Sequence, residues 1–301
     1  LPVLYEVGGC DRRPLGPGQR RFGCDPDGFA TLFKGAEAHL AALPPDAAIG
    51  VAPHSLRAVT PEGLAAAIAM RGDGPVHIHV AEQTAEIDEV SAARGARPVE
   101  WLMANADVDA HWCMIHLTHM TAAETEAVAQ SGAVAGLCPI TESSLGDGIF
   151  NGVTYLNAGG RIGIGSDSNI RIALSEELRT LEYSQRLRDK CRASVATPEK
   201  STGRVLFEQA VMGGAQAAGR TSGAIAPGHR ADLMALDDNA LDLDASTQDQ
   251  ILDTWIFAGD DRMVTDVWSS GRHMVEDGRH RQSDAIRNRY RSTMQALRQR
   301  L

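Results

Sequence analysis

The sequence predicts an α/β protein: a parallel sheet jacketed by helices over residues 1–219, a small β unit over 220–283 and a closing helix over 284–301. Three observations predict it. As far as about Gly219, short runs rich in Val, Ile and Leu alternate with longer amphipathic stretches. Those runs, AVAGL and IGIG among them, are apolar throughout, as strands buried on both faces read. Beyond Gly219 the segments GAIAPGHRADLMALD and MVTDVWSSGRHMVEDGRH read as short strands separated by Gly and Pro turns.

The strands of the first region fall at residues 2–7, 49–52, 76–80, 113–117, 133–138 and 161–165. Between them, Thr60 caps a helix whose first residue is Pro61, and Thr121 with Glu124 forms a capping box on a helix closed by Gly132. The last segment is a basic amphipathic helix, read as a surface helix docked by its apolar stripe. A chain of 301 residues suits one large domain or two unequal ones.

Composition excludes several partners. With 29 Lys and Arg against 39 Asp and Glu, the net charge is −10, which disfavours nucleic acid and anionic membrane surfaces. An anionic small-molecule substrate then needs a local arginine. No apolar run approaches the ~18 to 20 residues of a membrane helix. The five cysteines are scattered without a C-x-x-C pair, so neither a disulfide framework nor a cysteine zinc site is expected, and a reducing cytoplasm fits. A homodimer stays open. The chain enters an apolar strand at once, without Met, as though further sequence preceded it.

Chemistry concentrates at the ends of the predicted strands. In HIHVAEQ, residues two apart on a strand share a face, so His77 and His79 point the same way and Glu82 follows just past the end. An isolated H-x-H is as readily a pair of satisfied core histidines. RIGIGSDSN ends in Asp167, where a parallel α/β enzyme places reacting groups and where an ordinary turn also favours aspartate. MIHLTHM supplies His116 and His119, and His119, beside the cap at Thr121, reads as structural. APHSLRAV supplies His54 and Arg57 in the equivalent position. An open doubly wound sheet would spread these groups along an edge, whereas a closed barrel gathers them at one mouth. Imidazole and carboxylate without thiolate suit Zn or a similar divalent ion with an open position for water. Metal-assisted hydrolysis is the reaction class this implies.

These motifs, with GQRRFG, GLCPITESSLGDGIF and GIGSDSNIRIALSEELRTLEYSQRLR, resemble the amidohydrolase superfamily of metal-dependent (β/α)8 TIM-type barrels, and within it the formimidoylglutamate deiminases. The likeness spans nearly the whole chain. HIHVAEQ is shared with related deaminases, whereas the His54 and Arg57 pair and GLCPITESSLGDG look particular to this subgroup. The resemblance implies His79 and Asp167 as zinc ligands, with Asp167 also accepting a proton from water. It implies Glu82 as the acid/base serving the leaving ammonia, and His116 as the group polarising water or stabilising the tetrahedral intermediate. His54 and Arg57 would bind a substrate carboxylate, the arginine fork matching it. His77 has no role in the resemblance and is assigned to the barrel core.

The family takes two more histidine ligands from an H-x-H on its first strand, and here only His39 and His54 precede His77. The expectation is therefore a carboxyl-terminal portion carrying strands three to eight and part of a small β-sandwich domain, with strands one and two and two ligands upstream of Leu1. On its own it would neither hold zinc tightly nor turn over. The leading expectation for the parent is hydrolysis of N-formimino-L-glutamate to N-formyl-L-glutamate and ammonia in histidine degradation. The alternatives are a purine, nucleoside or triazine deaminase of the same superfamily, or a non-catalytic degenerate barrel.

Overall fold

The computed structural model describes residues 1–300. The strands of the first region are β1 (Val3–Leu4), β2 (Ala52–Pro53), β3 (Val76–Val80), β4 (Trp112–His116), β5 (Val134–Leu137) and β6 (Arg161–Ile164). β3 to β6 lie within one residue of their expected places, whereas β2 begins three residues late and β1 ends three residues early. β1 stops early because the amides of Glu6 and Val7 turn away to the carbonyl of Ala58.

Every pairing in this region is parallel. β1 pairs β2, β3 through β6 form a second ladder, and bridges Val51–Val76 and Ser55–His79 join the two. The strand order thus follows the chain without reversal. A doubly wound sheet reverses order at a switch point, so this topology is that of a singly wound, barrel-type sheet. Among the described residues β6 and β1 do not pair.

The helices follow the strands: α1 (Pro26–His39), α2 (Pro61–Ala69), α3 (Thr84–Arg94), α4 (Pro98–Asn105), α5 (Ala122–Ser131), α6 (Pro139–Leu145), α7 (Gly152–Asn157), α8 (Leu174–Asp189) and α9 (Thr202–Ala217). Their caps are those the sequence announces. Thr60 accepts from the amide of Gly63, and Thr121 and Glu124 close a capping box on α5 whose far end is Gly132 in the left-handed conformation. The main core lies between helices and sheet, built from Val76, Ile78, Val80, Trp112, Met114 and Leu137. The opposite strand face, which carries His77, Cys113, Gly136 and Gly163, lines a cavity of about 540 Å3.

The second region contains β7 (Leu233–Leu236), α10 (Asp249–Phe257), β8 (Val264–Ser269), β9 (Arg272–Glu276) and β10 (Arg279–His280), closed by α11 (Ser283–Arg298). Its strands make one antiparallel sheet, in the order β10-β9-β8-β7. Among the described residues no helix is long and apolar enough to cross a membrane.

Asp46 ties the two regions together. Its carboxylate accepts both ends of the Arg272 fork at 2.7 and 2.9 Å, Arg220 at 3.2 Å and the Ser270 hydroxyl at 3.0 Å. The Arg272 hydrogen bonds, with Ser270, hold the carboxyl well below the usual carboxylate range against the opposing pull of burial. A depressed folded-state pKa contributes stability that is present above the unfolded value, ~3.9, and lost as pH falls below it. Asp46→Asn is therefore expected to lower the thermal midpoint at pH 7, followed by circular dichroism. The deficit should narrow as the pH is taken below about 4; a constant gap would mean that charge does not hold this joint.

Candidate active site

The carboxyl end of β3 delivers His79. Its Nδ1 donates to the carbonyl of His54 at 2.8 Å, a backbone contact that leaves Nε2 as the free lone pair. Burial lowers the His79 pKa, opposed by that carbonyl and by the charges of Glu82 and Asp167, while the His116 ring adds to the lowering. A neutral imidazole with one nitrogen held by a carbonyl is how metal-binding histidines are arranged. His54 lies alongside, ring centroids 4.8 Å apart, and is pushed down to about 4 by burial, then by His79 and Arg57. Tyr5, just past β1, sets its ring edge on His54 at 4.5 Å.

Backbone turns at the strand ends re-aim the neighbouring groups. Ala81, His116, Leu117 and Asp167 have φ of 56°, 75°, 54° and 42°, left-handed values that cost a side-chain-bearing residue energy and mark functional sites. By register His116 pairs with Val80, on the helix-facing side. The left-handed turn instead brings its ring onto His79, 5.5 Å between centroids. Beyond Ala81 the chain carries Glu82 inward, with Oε1 3.8 Å from His116 Nε2. That is too long for a hydrogen bond and suits groups that act on a molecule between them.

Carboxylates behind the rim hold these turns. Glu86, fully buried on α3, accepts the amides of Ala81 at 2.9 Å and Glu82 at 3.0 Å. Glu142, on α6, accepts His116 Nδ1–H at 3.2 Å and the Cys138 amide at 2.8 Å through the same oxygen. Burial raises the Glu82 pKa, reinforced by Asp147 and Glu86 and opposed by His116 and His79. Burial alone would lower His116, but the Glu142 hydrogen bond and the charges of Glu82, Glu142 and Asp167 outweigh it and raise the imidazole.

The structure therefore brings His54, Arg57, His79, Glu82 and His116 to one rim. Asp167, exposed on the loop after β6, lies near enough for its charge to act on both His79 and His116. Arg57 is half-buried, and its Nε has no hydrogen-bond partner among the described residues. His77 stands apart, its Nε2 2.7 Å from the carbonyl of Ala217, and His119 holds the carbonyl of Asp147 at 2.6 Å. Both are structural. Sequence reasoning missed Glu86, Glu142 and Tyr5. The signal for Glu142 was its place four residues after Cys138, where a carboxylate in a helix's first turn can reach back to a strand end.

His116, Cys138 and Glu142 place candidate ligand atoms within 4.8 Å of one another. Burial and nearby carboxylates push the Cys138 thiol up, away from the thiolate that binds metal, and the Glu142 oxygen already accepts two N–H groups. Hydrogen bonding explains this cluster.

Residues 38–274 match the model of the Amidohydrolase family. The chain belongs to that family. It is 48% identical over 282 residues to a formimidoylglutamate deiminase of Pseudomonas aeruginosa, a match covering 93% of this chain and 62% of that protein. It is 30% identical to a 5-methylthioadenosine/S-adenosylhomocysteine deaminase of Natronomonas pharaonis, over 77% of this chain and 53% of the relative. Among solved structures, an amidohydrolase from Brucella melitensis superposes with TM-score 0.94 at 47% identity, covering 99% of this chain and 65% of the other. An adenosine deaminase from Xanthomonas campestris with bound zinc gives TM-score 0.82 at 22% identity, over 99% of this chain and 65% of the other, a likeness of fold alone. This amidohydrolase chain thus spans 62% of the length of the Pseudomonas relative.

The turn at Ala81 and Glu82 depends on Glu86. Glu86→Ala leaves two buried amides without an acceptor, and at ~1.5 to 3 kcal/mol for a hydrogen bond to a charged group the expected loss is about 3 kcal/mol. Urea denaturation measures it. A loss below about 1 kcal/mol would mean that these amides find water or another acceptor.

Proposed function

We infer that the whole protein hydrolyses N-formimino-L-glutamate to N-formyl-L-glutamate and ammonia, a step of histidine degradation. The observation that carries this reading is Arg57, a cation half-buried beside His54 at the rim of a strongly acidic chain, with an N–H left free. A carboxylate-bearing substrate completes that fork. The likeness to the Pseudomonas deiminase supports the same substrate. Adenosine and other uncharged purines offer no carboxylate to such a cation.

The donor set fits a zinc ion. His79 offers a neutral Nε2 with its other nitrogen tied to a carbonyl, and Asp167 offers a carboxylate nearby. These two would hold the ion, with two further histidines expected elsewhere in the whole protein. When bound, zinc supplies Lewis acidity that activates water near neutral pH. Asp167 takes the first proton as water attacks the C=N carbon. Glu82, its pKa raised, carries protons to the nitrogen, so both hydrogens of the water leave on ammonia as the C–N bond breaks. His116 faces the developing oxygen, and His54 and Arg57 orient the carboxylate. The unpaired edges of β1 and β6 fit a barrel of eight strands that two more would complete. The five free cysteines fit a cytoplasmic enzyme.

Ammonia release by the whole protein tests the reading, with adenosine and other cyclic amidines as comparison substrates. Arg57→Ala is expected to raise KM by about 100-fold, the loss of a charge-assisted pair, with a smaller effect on kcat. Glu82→Gln is expected to cut kcat by about 100-fold or more at near-constant KM. Wild-type KM in the arginine variant, or faster turnover of a cyclic amidine, would overturn the assignment.

A further inference from the structure

We propose that Glu142 is a positioning residue: it pins the His116 proton on Nδ1, so that Nε2, the nitrogen facing Glu82, is the one that accepts and gives protons. This rests on the hydrolytic reading for its catalytic consequence, though not for its geometry. His116 and Glu142 are 1% and 4% exposed, so water does not compete for their contact. A carboxylate only accepts, and a neutral imidazole carries one N–H, so a Glu142 oxygen 3.2 Å from Nδ1 selects the Nδ1–H form. When the ring is doubly protonated, the second proton sits on Nε2, 3.8 Å from Glu82. In either charge state Nδ1 is occupied.

His116 needs such a clamp more than an ordinary strand residue does. Its φ of 75° takes it out of the ladder geometry that orients the other inward groups. Glu142 is itself anchored by the Cys138 amide at 2.8 Å, the N-cap position of α6, so the end of β5 fixes a ring that belongs to β4. Because one oxygen serves both donors, a glutamine can reproduce both contacts without the charge, whereas a leucine of similar bulk reproduces neither.

Nitrogen-15 NMR of the full chain, labelled in histidine and assigned with His116→Gln, reads the tautomer directly. The neutral wild-type ring should show the Nδ1–H pattern; an Nε2–H pattern overturns the proposal without recourse to any variant. Glu142→Gln should keep the wild-type pattern, and Glu142→Leu should move it toward Nε2–H. In ammonia release by the whole protein, Glu142→Leu should lower kcat by about 10- to 100-fold with KM within about twofold, and Glu142→Gln should recover most of that loss. A folded leucine variant with an unchanged ring pattern means Glu142 only caps α6. If the whole protein releases no ammonia, the hydrolytic reading has failed, while the tautomer measurement still decides the clamp.

Discussion

The constraint on which the site depends is the parallel register of β3 to β6 combined with left-handed residues where those strands end. Register alone brings His79 to the inward face and sends His116 to the helix side. The positive φ values at Ala81 and His116 turn Glu82 and the His116 ring back toward His79. Such conformations are costly for residues with side chains, and they persist where surrounding contacts over-determine them. Glu86 and Glu142 supply those contacts from the first turns of helices packed against the strand ends.

The electrostatics follow from the same arrangement. Burial works against the charged forms of His54, His79, Glu82 and His116, keeping His54 and His79 neutral and raising Glu82. His116 goes the other way because it is surrounded by carboxylates. Neutral nitrogen donors therefore stand beside a carboxylate inclined to hold a proton and an imidazole inclined to gain one. That division suits hydrolysis, in which one face of the site ligates and activates while the other moves protons.

The rest of the fold keeps this rim in place. Helix α9 crosses β6 so closely that a Cβ on Gly213 would come within 2.1 Å of the Ile162 carbonyl oxygen, and His77 ties β3 to the end of the same helix. Asp46 then links the segment before β2 to Arg220, just past α9, and to the small antiparallel sheet. The antiparallel sheet is thus joined through charge-assisted hydrogen bonds at the end of the parallel sheet away from the His79 rim, while Trp255 and Ile256 of α10 enter the main core.

Much of this was legible in the amino-acid order because it is local. Apolar runs with Gly and Pro punctuation located the strands, Thr60 and Thr121 announced their helices, and the i, i+2 spacing set His77 and His79 on one face. Residue type and strand-end position singled out His54, Arg57, His79, Glu82, His116 and Asp167, since imidazole, carboxylate and guanidinium are the groups such chemistry uses. His77 and His119 already read as structural, and tertiary contact supplied the reason: the carbonyls of Ala217 and Asp147 occupy their Nε2 atoms, whereas His79 is held through Nδ1. The clamp on His116 was equally beyond pattern reading, because Glu142 lies 26 residues away and only parallel pairing brings β4 and β5 together. The sequence by itself determined the elements and the chemical repertoire, through periodicity and side-chain type. The tertiary structure decided tautomer, orientation and the second ring of carboxylates, because those depend on atoms that meet only when the strands align.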